Sequence, residues 1–220
     1  MTYFKREFAK KHGSSGVLAR FVLFLSGIRQ ATAYDLDEIA KVHTRCFPNS
    51  FSTALCGGGL LKAFYNEYLE DVPGLFLVAE NEQNGIIGFC MGYFCEYNEY
   101  QKLFLKHNFF RIFFRCIRLA LTGNKAFYKK VFKKKSQAYV LNDKFNKYKA
   151  SEKGDLLSIC VLPEYRGTGT AQALMDSFLT QLEEQDRKLC LLTVESGNAR
   201  AIGFYEMNGF SACRKTEKST

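Results

Sequence analysis

The chain has 220 residues, 47% of them hydrophobic, only three prolines and a formal charge of +9, which is enough apolar mass for one packed domain with an elaboration and excludes a disordered polymer. No apolar run approaches the roughly 18–20 residues of a membrane-spanning helix. The charge is local: residues 1–30 carry six Lys/Arg against one acid and residues 100–153 carry fifteen against two, whereas 31–99 and 154–220 are net acidic.

The N-terminus imitates a secretory leader, with Lys5, Arg6, Lys10 and Lys11 ahead of an apolar stretch from Val17 to Leu25 and Ala31-Thr32-Ala33 as a cleavage-like tripeptide. Arg20 interrupts that stretch, and cleavage would remove Ile28–Ala33, which reads as the first strand of the domain. Residues 1–27 are therefore expected to be a basic, apolar extension holding an amphipathic helix that packs on the domain or on a membrane. The eight cysteines form no C-x-x-C pair and no zinc spacing, so they read as buried thiols of a protein in a reducing cytosol, with no metal site.

After the strand at Ile28–Ala33, Asp35 and Glu38 have the spacing of a capping box opening a helix whose apolar face is Leu36, Ile39, Ala40, His43 and Phe47. Pro48 ends it. A polar loop, Asn49–Thr53, leads through Gly57-Gly58-Gly59 to a second helix over Leu60–Leu69. Strands follow at Leu75–Glu80 and Ile86–Phe94, joined by an Asn84-Gly85 turn. Residues 96–153 break this rhythm and read as a basic, aromatic-rich helical insertion between the third and fourth strands. Leu156–Leu162 is the next strand. Ala171, Leu174, Met175, Phe178, Leu179 and Leu182 then mark an amphipathic helix. A buried strand at Leu189–Val194, a helix at Asn198–Met207, a strand at Phe210–Arg214 and a polar tail at 215–220 complete an α/β chain, a mixed sheet flanked by helices.

Within the insertion, Phe109–Leu121 reads FFRIFFRCIRLAL. At helical spacing Arg111, Arg115 and Arg118 share one face, and Phe110, Phe113, Ile117 and Ala120 lie opposite. The simplest expectation packs the phenylalanines on the domain and leaves the basic face in water. Two others compete with it: contact with an anionic membrane, and recognition of an acidic acceptor such as a nucleotide-sugar or RNA. Nothing resembles a nucleic-acid module, so a nucleic-acid partner is not expected.

The chemistry sits in Val161-Leu162-Pro163-Glu164-Tyr165-Arg166-Gly167-Thr168-Gly169-Thr170-Ala171, where a strand ends in a glycine turn and a helix begins. Free N–H groups at such a helix start bind phosphate, although the glycines match neither a P-loop nor the dinucleotide fingerprint. Arg166, Gly169 and Ala171 fit Q/R-x-x-G-x-G/A, and Asn198 to Phe210 fit N-x-x-A-x-x-x-Y-x-x-x-G-F. Together, in this order, they resemble the GNAT N-acetyltransferase family, over about 28–95 and 154–214; residues 28–214 would be the acetyltransferase domain.

That resemblance implies acetyl-CoA as cosubstrate. Its pyrophosphate would rest on backbone amides of Arg166, Gly167, Thr168, Gly169, Thr170 and Ala171. Its pantetheine arm would pair with the strand edge at Ile159, Cys160 and Val161 and meet Asn198. Tyr205 would face the sulfur and protonate the departing thiolate. A base must deprotonate the attacking amine, whose pKa is near ~10.4. Glu195 is taken as that base, with Glu96, Asp155, Ser158 and a water route as alternatives, while His43 is expected to be packed. The expected reaction is acetylation of a primary amine on a small, phosphorylated or nucleotide-linked amino sugar. The alternative is a protein of this fold at a membrane surface or on nucleic acid that binds acyl-CoA without catalysis. The family usually closes with one more strand beside the last; here that strand is absent, or residues 1–27 or a second subunit supply it, so both a monomer and a homodimer fit. A cytoplasmic location, with or without attachment to the inner membrane face, is expected.

Overall fold

In a computed structural model that describes residues 2–8, 27–71, 74–83, 85–94, 106–124, 128 and 147–215, seven strands form one sheet in the order β2-β3-β4-β5-β6-β1-β7. They are β1 (Thr2–Glu7), β2 (Ile28–Gln30), β3 (Gly74–Glu80), β4 (Ile86–Tyr93), β5 (Lys153–Val161), β6 (Leu189–Val194) and β7 (Ser211–Lys215). All neighbours are antiparallel except β5 and β6. The helices are α1 (Leu36–Cys46), α2 (Phe51–Asp71), α3 (Phe109–Leu121), α4 (Thr170–Glu184) and α5 (Ala199–Met207). The proposed N-terminal helix, the apolar stretch Val17–Leu25 and Glu96 lie outside the described residues.

Two layers of helix cover the sheet. Phe89 of β4 stacks on His43 of α1 and meets Tyr65 of α2 edge-on, which puts α1 and α2 on one face. A β-carbon on Gly92, three residues along β4, would instead strike Phe178 of α4, so α4 covers the other face. Leu77, Val78, Phe89, Cys90, Leu174, Met175 and Phe178 are buried between the layers.

The extension expected at 1–27 begins inside this sheet. Thr2–Glu7 lie between β6 and β7, antiparallel to both, with Phe4 only 1% exposed. The position of the further strand is thus filled by the chain's own N-terminal residues. Thr2 stands opposite Lys215, so β1 lies where a hairpin from the end of β7 would return. Only Thr2 and Phe4 of this strand are buried, which is why Thr-Tyr-Phe-Lys-Arg-Glu reads as a charged leader rather than as a strand.

Other elements depart from expectation for local reasons. β2 stops at Gln30, and Ala33–Asp35 forms a 3-10 turn. The Asp35 carboxylate does not cap α1. It accepts Thr32 N–H at 2.7 Å and both Arg29 nitrogens at 2.7 Å, and Arg29, which also donates to Glu80, holds it down at a pKa of about 2. Glu38 accepts Ile86 N–H at 3.1 Å instead of closing a capping box. The loop and short helix expected at 49–69 are one helix of 21 residues. It starts early because Ser50 Oγ accepts Thr53 N–H at 3.1 Å, as an N-cap does. His43 is packed as expected: Nδ1 is 2.5 Å from Tyr65 Oη, and burial lowers its pKa to about 4, so it is neutral near pH 7.

The insertion helix α3 lies against α2. Arg115 donates to the Ala54 carbonyl at 3.2 Å and Asn108 to Glu67 at 2.8 Å. The expected orientation is reversed: Phe110, Phe113 and Ile117 point outward, 72%, 48% and 43% exposed, while Leu119 is buried. A wheel shows that the helix has two faces but not which one meets the domain. Here α2 takes Leu119 and the stem of Arg115. Lys129–Lys135 lie outside the described residues.

Candidate active site

β5 and β6 are paired only from Lys153–Leu189 to Leu156–Leu192, although both continue. Beyond that point they part. The cause is visible on the other side of β5, where Met91 faces Ser158 and Gly92 faces Leu156. Leu157 is thus the extra residue of a β-bulge, which bends and twists the strand that carries it. From Leu157 to Val161 the β6-facing edge of β5 has no strand partner among the described residues. Leu162 N–H bonds the Ile87 carbonyl; by alternation Cys160 turns its backbone to Phe89 of β4, while Ile159 and Val161 turn theirs to the gap.

The gap leads to the glycine turn. Gly167 and Gly169 have φ of +86° and +88°, with nothing within 4 Å of a β-carbon at either. Such a backbone favours glycine and leaves the loop open to a ligand. Tyr165 N–H and Arg166 N–H bond back to Leu162 and Pro163, and the first helical bond of α4 runs from Ala173 to Gly169. The amides of Gly167 to Gln172 between them have no acceptor among the described residues. Six successive free N–H groups at the start of a 15-residue helix form an anion site. Thr168 Oγ1 bonds the Tyr165 carbonyl at 2.8 Å, and Arg45 of α1 reaches Glu164 at 2.9 Å, so both flanks of the turn are tied down.

Tyr205 and Asp155 stand on opposite faces of the sheet, Asp155 in the last stretch where β5 still pairs with β6, just before the gap. Tyr205 of α5 packs against Phe4, Phe204 and Phe210. Burial, with Cys90 of β4 and Cys190 of β6 nearby, pushes its phenol well above the ordinary value. Cys90 shares the face of Gly92, so the ring lies on the α4 side of the sheet. Its hydroxyl has no hydrogen-bond partner among the described residues. On β5 a β-carbon at Gly154 would strike Leu182 of α4, so Asp155 points to the α1/α2 face. It sits beside Tyr93 in the register, two residues before the bulge, and no described group hydrogen-bonds its carboxylate. Burial raises it to about 7, with Lys153 opposing weakly.

Asn198 is exposed and caps α5, its Oδ1 accepting Ala201 N–H at 3.1 Å. Arg166 is exposed at the turn, and Thr170 and Ala171 open α4. Cys160 turns its thiol toward Cys46 of α1 and its backbone to β4, so the gap receives only its neighbours. Glu195 is exposed just past β6, its carbonyl accepting Asn198 N–H. What residue order could not single out is Asp155, because the bulge that parts the strands beside it is a property of pairing.

A model described as the acetyltransferase (GNAT) family matches residues 136–210. No curated protein sequence matches the chain. Among solved structures, a tetramutant of the BH1408 protein of Bacillus halodurans is similar over 88% of this chain and 98% of its own, at 16% identity and a TM-score of 0.55. The PaiA N-acetyltransferase of Thermoplasma acidophilum, in complex with coenzyme A, is similar over 87% and 92%, at 15% identity and a TM-score of 0.52. The apo aminoglycoside antibiotic 6'-N-acetyltransferase AAC(6')-IG of Acinetobacter haemolyticus is similar over 88% and 96%, at 14% identity and a TM-score of 0.53. At these identities the likeness is one of fold.

Proposed function

We propose that this chain is an acetyltransferase of the GNAT family, whose model matches residues 136–210, and that it transfers an acetyl group from acetyl-CoA to the primary amine of a small, phosphorylated or nucleotide-linked amino sugar. The observation that carries the reading is the parting of β5 from β6 beside six free amides at the start of α4. The amides suit a pyrophosphate, and the open backbone of Ile159 and Val161 suits the amides of a pantetheine arm. The residues present therefore fit CoA, which supplies an acetyl group activated as a thioester.

The chain's own groups divide the proton work. Asp155 faces the α1/α2 side, where an amine can approach, and a carboxyl titrating near 7 can take an ammonium proton at neutral pH. Tyr205, on the opposite side, stays protonated and can donate to a departing thiolate. An acid and a base on opposite faces of the sheet, next to the gap, suit a direct transfer, in which nucleophile and leaving group lie on either side of the carbonyl carbon. Asp155 thus replaces Glu195 as the favoured base. The acceptor class is supported by α3, which brings Arg115 to the Ala54 carbonyl of α2 and Arg111 to within 3.7 Å of a β-carbon at Gly59. Both cations border the helix that walls the acceptor side, where they favour an anionic substrate. The aminoglycoside 6'-N-acetyltransferase shows that this fold carries an enzyme named for an amino-sugar acceptor.

Calorimetry with acetyl-CoA, followed by thiol release against nucleotide-linked amino sugars, polyamines and peptide N-termini, tests the reading. Binding with turnover on the amino sugars is expected. No binding overturns the acetyltransferase reading. Turnover on polyamines or peptides alone overturns the acceptor class. Binding without turnover on any amine leaves the non-catalytic alternative.

A further inference from the structure

Among the described residues, helix α3 is held to the domain by one side. Leu119, 5% exposed, and Arg115, bonded to Ala54, turn toward α2. The other side carries Phe109, Phe110, Phe113, Phe114, Ile117 and Leu121, between 43% and 83% exposed. At about 100° per residue these six fall within about 140° of arc, and Arg118 and Arg111 stand along one border of it. Single exposed apolar residues are ordinary, whereas a contiguous aromatic face rimmed by cations marks an interaction surface.

We propose that this face of α3 docks the protein onto an anionic lipid membrane, with the helix lying in the plane of the interface. Its 13 residues make about 20 Å of helix, too short to cross a bilayer and long enough to lie flat on one. No helix among the described residues is long and apolar enough to cross a membrane. The phenylalanines would enter the boundary between headgroups and acyl chains, and Arg118 would meet lipid phosphates. Charge selects this occupant over a second copy. The block from 100 to 153 holds fifteen Lys/Arg and two acids along the sequence, so two copies of it repel, while an anionic surface attracts it.

The test is sedimentation of the full chain with vesicles of equal parts phosphatidylglycerol and phosphatidylcholine, against vesicles of phosphatidylcholine alone, at low and high salt. The protein should partition to the anionic vesicles at least about tenfold better, and less so in high salt. Phe110→Glu with Phe114→Glu should cut that partition at least about tenfold, with an unchanged thermal melt as the folding control. Wild-type protein that stays in the supernatant with anionic vesicles overturns the proposal. So does a double variant that sediments like the wild type, because the basic block alone would then account for binding. So does concentration-dependent dimerisation that the same double variant abolishes, because a second copy would then occupy the face.

Discussion

Tyr205 and Asp155 make the sharpest claims at the scale of single residues. The Tyr205 hydroxyl bonds nothing described, so Tyr205→Phe should leave the thermal melt nearly unchanged while lowering turnover by roughly ten- to a thousand-fold; full turnover would remove it from the mechanism. Asp155 carries a prediction with a sign in pH. The carboxylate is the active form, so kcat/KM should rise with pH through about 7 in the wild type. Asp155→Asn should lower the rate by roughly a hundredfold or more and abolish that limb, whereas Glu195→Gln should keep it. Stability should move the other way. A carboxyl raised from 3.8 to about 7 opposes folding most above pH 7, and this penalty fades as the pH falls toward 4. Asp155→Asn should therefore melt higher than the wild type at pH 8, by on the order of 1–3 kcal/mol, and lose that advantage at pH 4. Tyr205 stands out in the sequence by its place in the second motif. Asp155 was one carboxylate among several, because its burial, its facing side and its lack of a partner arise only when β4 and β6 flank β5.

Elements differ in how much of their behaviour is local. The turn before α4 was legible because two glycines, a proline and an apolar period of 3.6 all act within a dozen residues. At Gly169 the requirement is conformational and not spatial: φ is +88° and no atom stands within 4 Å of a β-carbon. Gly169→Ala should cost about 1–2 kcal/mol through the left-handed backbone, read as a lower melting temperature, and weaken acetyl-CoA in calorimetry by disturbing the free amides on either side. An alanine variant that melts and binds like the wild type would show that the turn does not hold this conformation in solution. The start of α2 was written in Ser50 and overlooked because Gly57-Gly58-Gly59 argues so strongly for a break; each glycine costs a helix up to about 1 kcal/mol, and tertiary packing overrides that. The amphipathicity of α3 was legible, but its orientation was not, since the outcome depends on what α2 offers to Leu119 and Arg115.

At the scale of the whole molecule the sheet closes through its N-terminus. Because Thr2 opposes Lys215, residues 1–8 moved behind Thr220 would form a hairpin with β7 and occupy the same slot. Such a permutant should fold cooperatively and melt within a few degrees of the parent, whereas deletion of residues 1–8 should expose the edges of β6 and β7 and abolish cooperative unfolding. A deletion variant with a normal melt would show that β1 adds nothing to the sheet. The charge map has a counterpart at this scale. The segments 31–99 and 154–220, which hold most of the sheet and the gap between β5 and β6, are net acidic, while most cations fall in residues 1–30 and 100–153 of the sequence. Sequence alone determined the resemblance to the acetyltransferase family, the glycine turn before α4, the order of most strands and helices, and the location of the charge, because each is encoded in residues close together along the chain. Only the tertiary structure decided that the first six described residues belong to the sheet, that β5 leaves β6 at a bulge, that Asp155 and Tyr205 stand on opposite faces of the sheet, and that α3 turns its aromatic side outward. Each of these depends on which strands and helices become neighbours, and pairing between residues as far apart as Thr2 and Val194 leaves no mark in local composition.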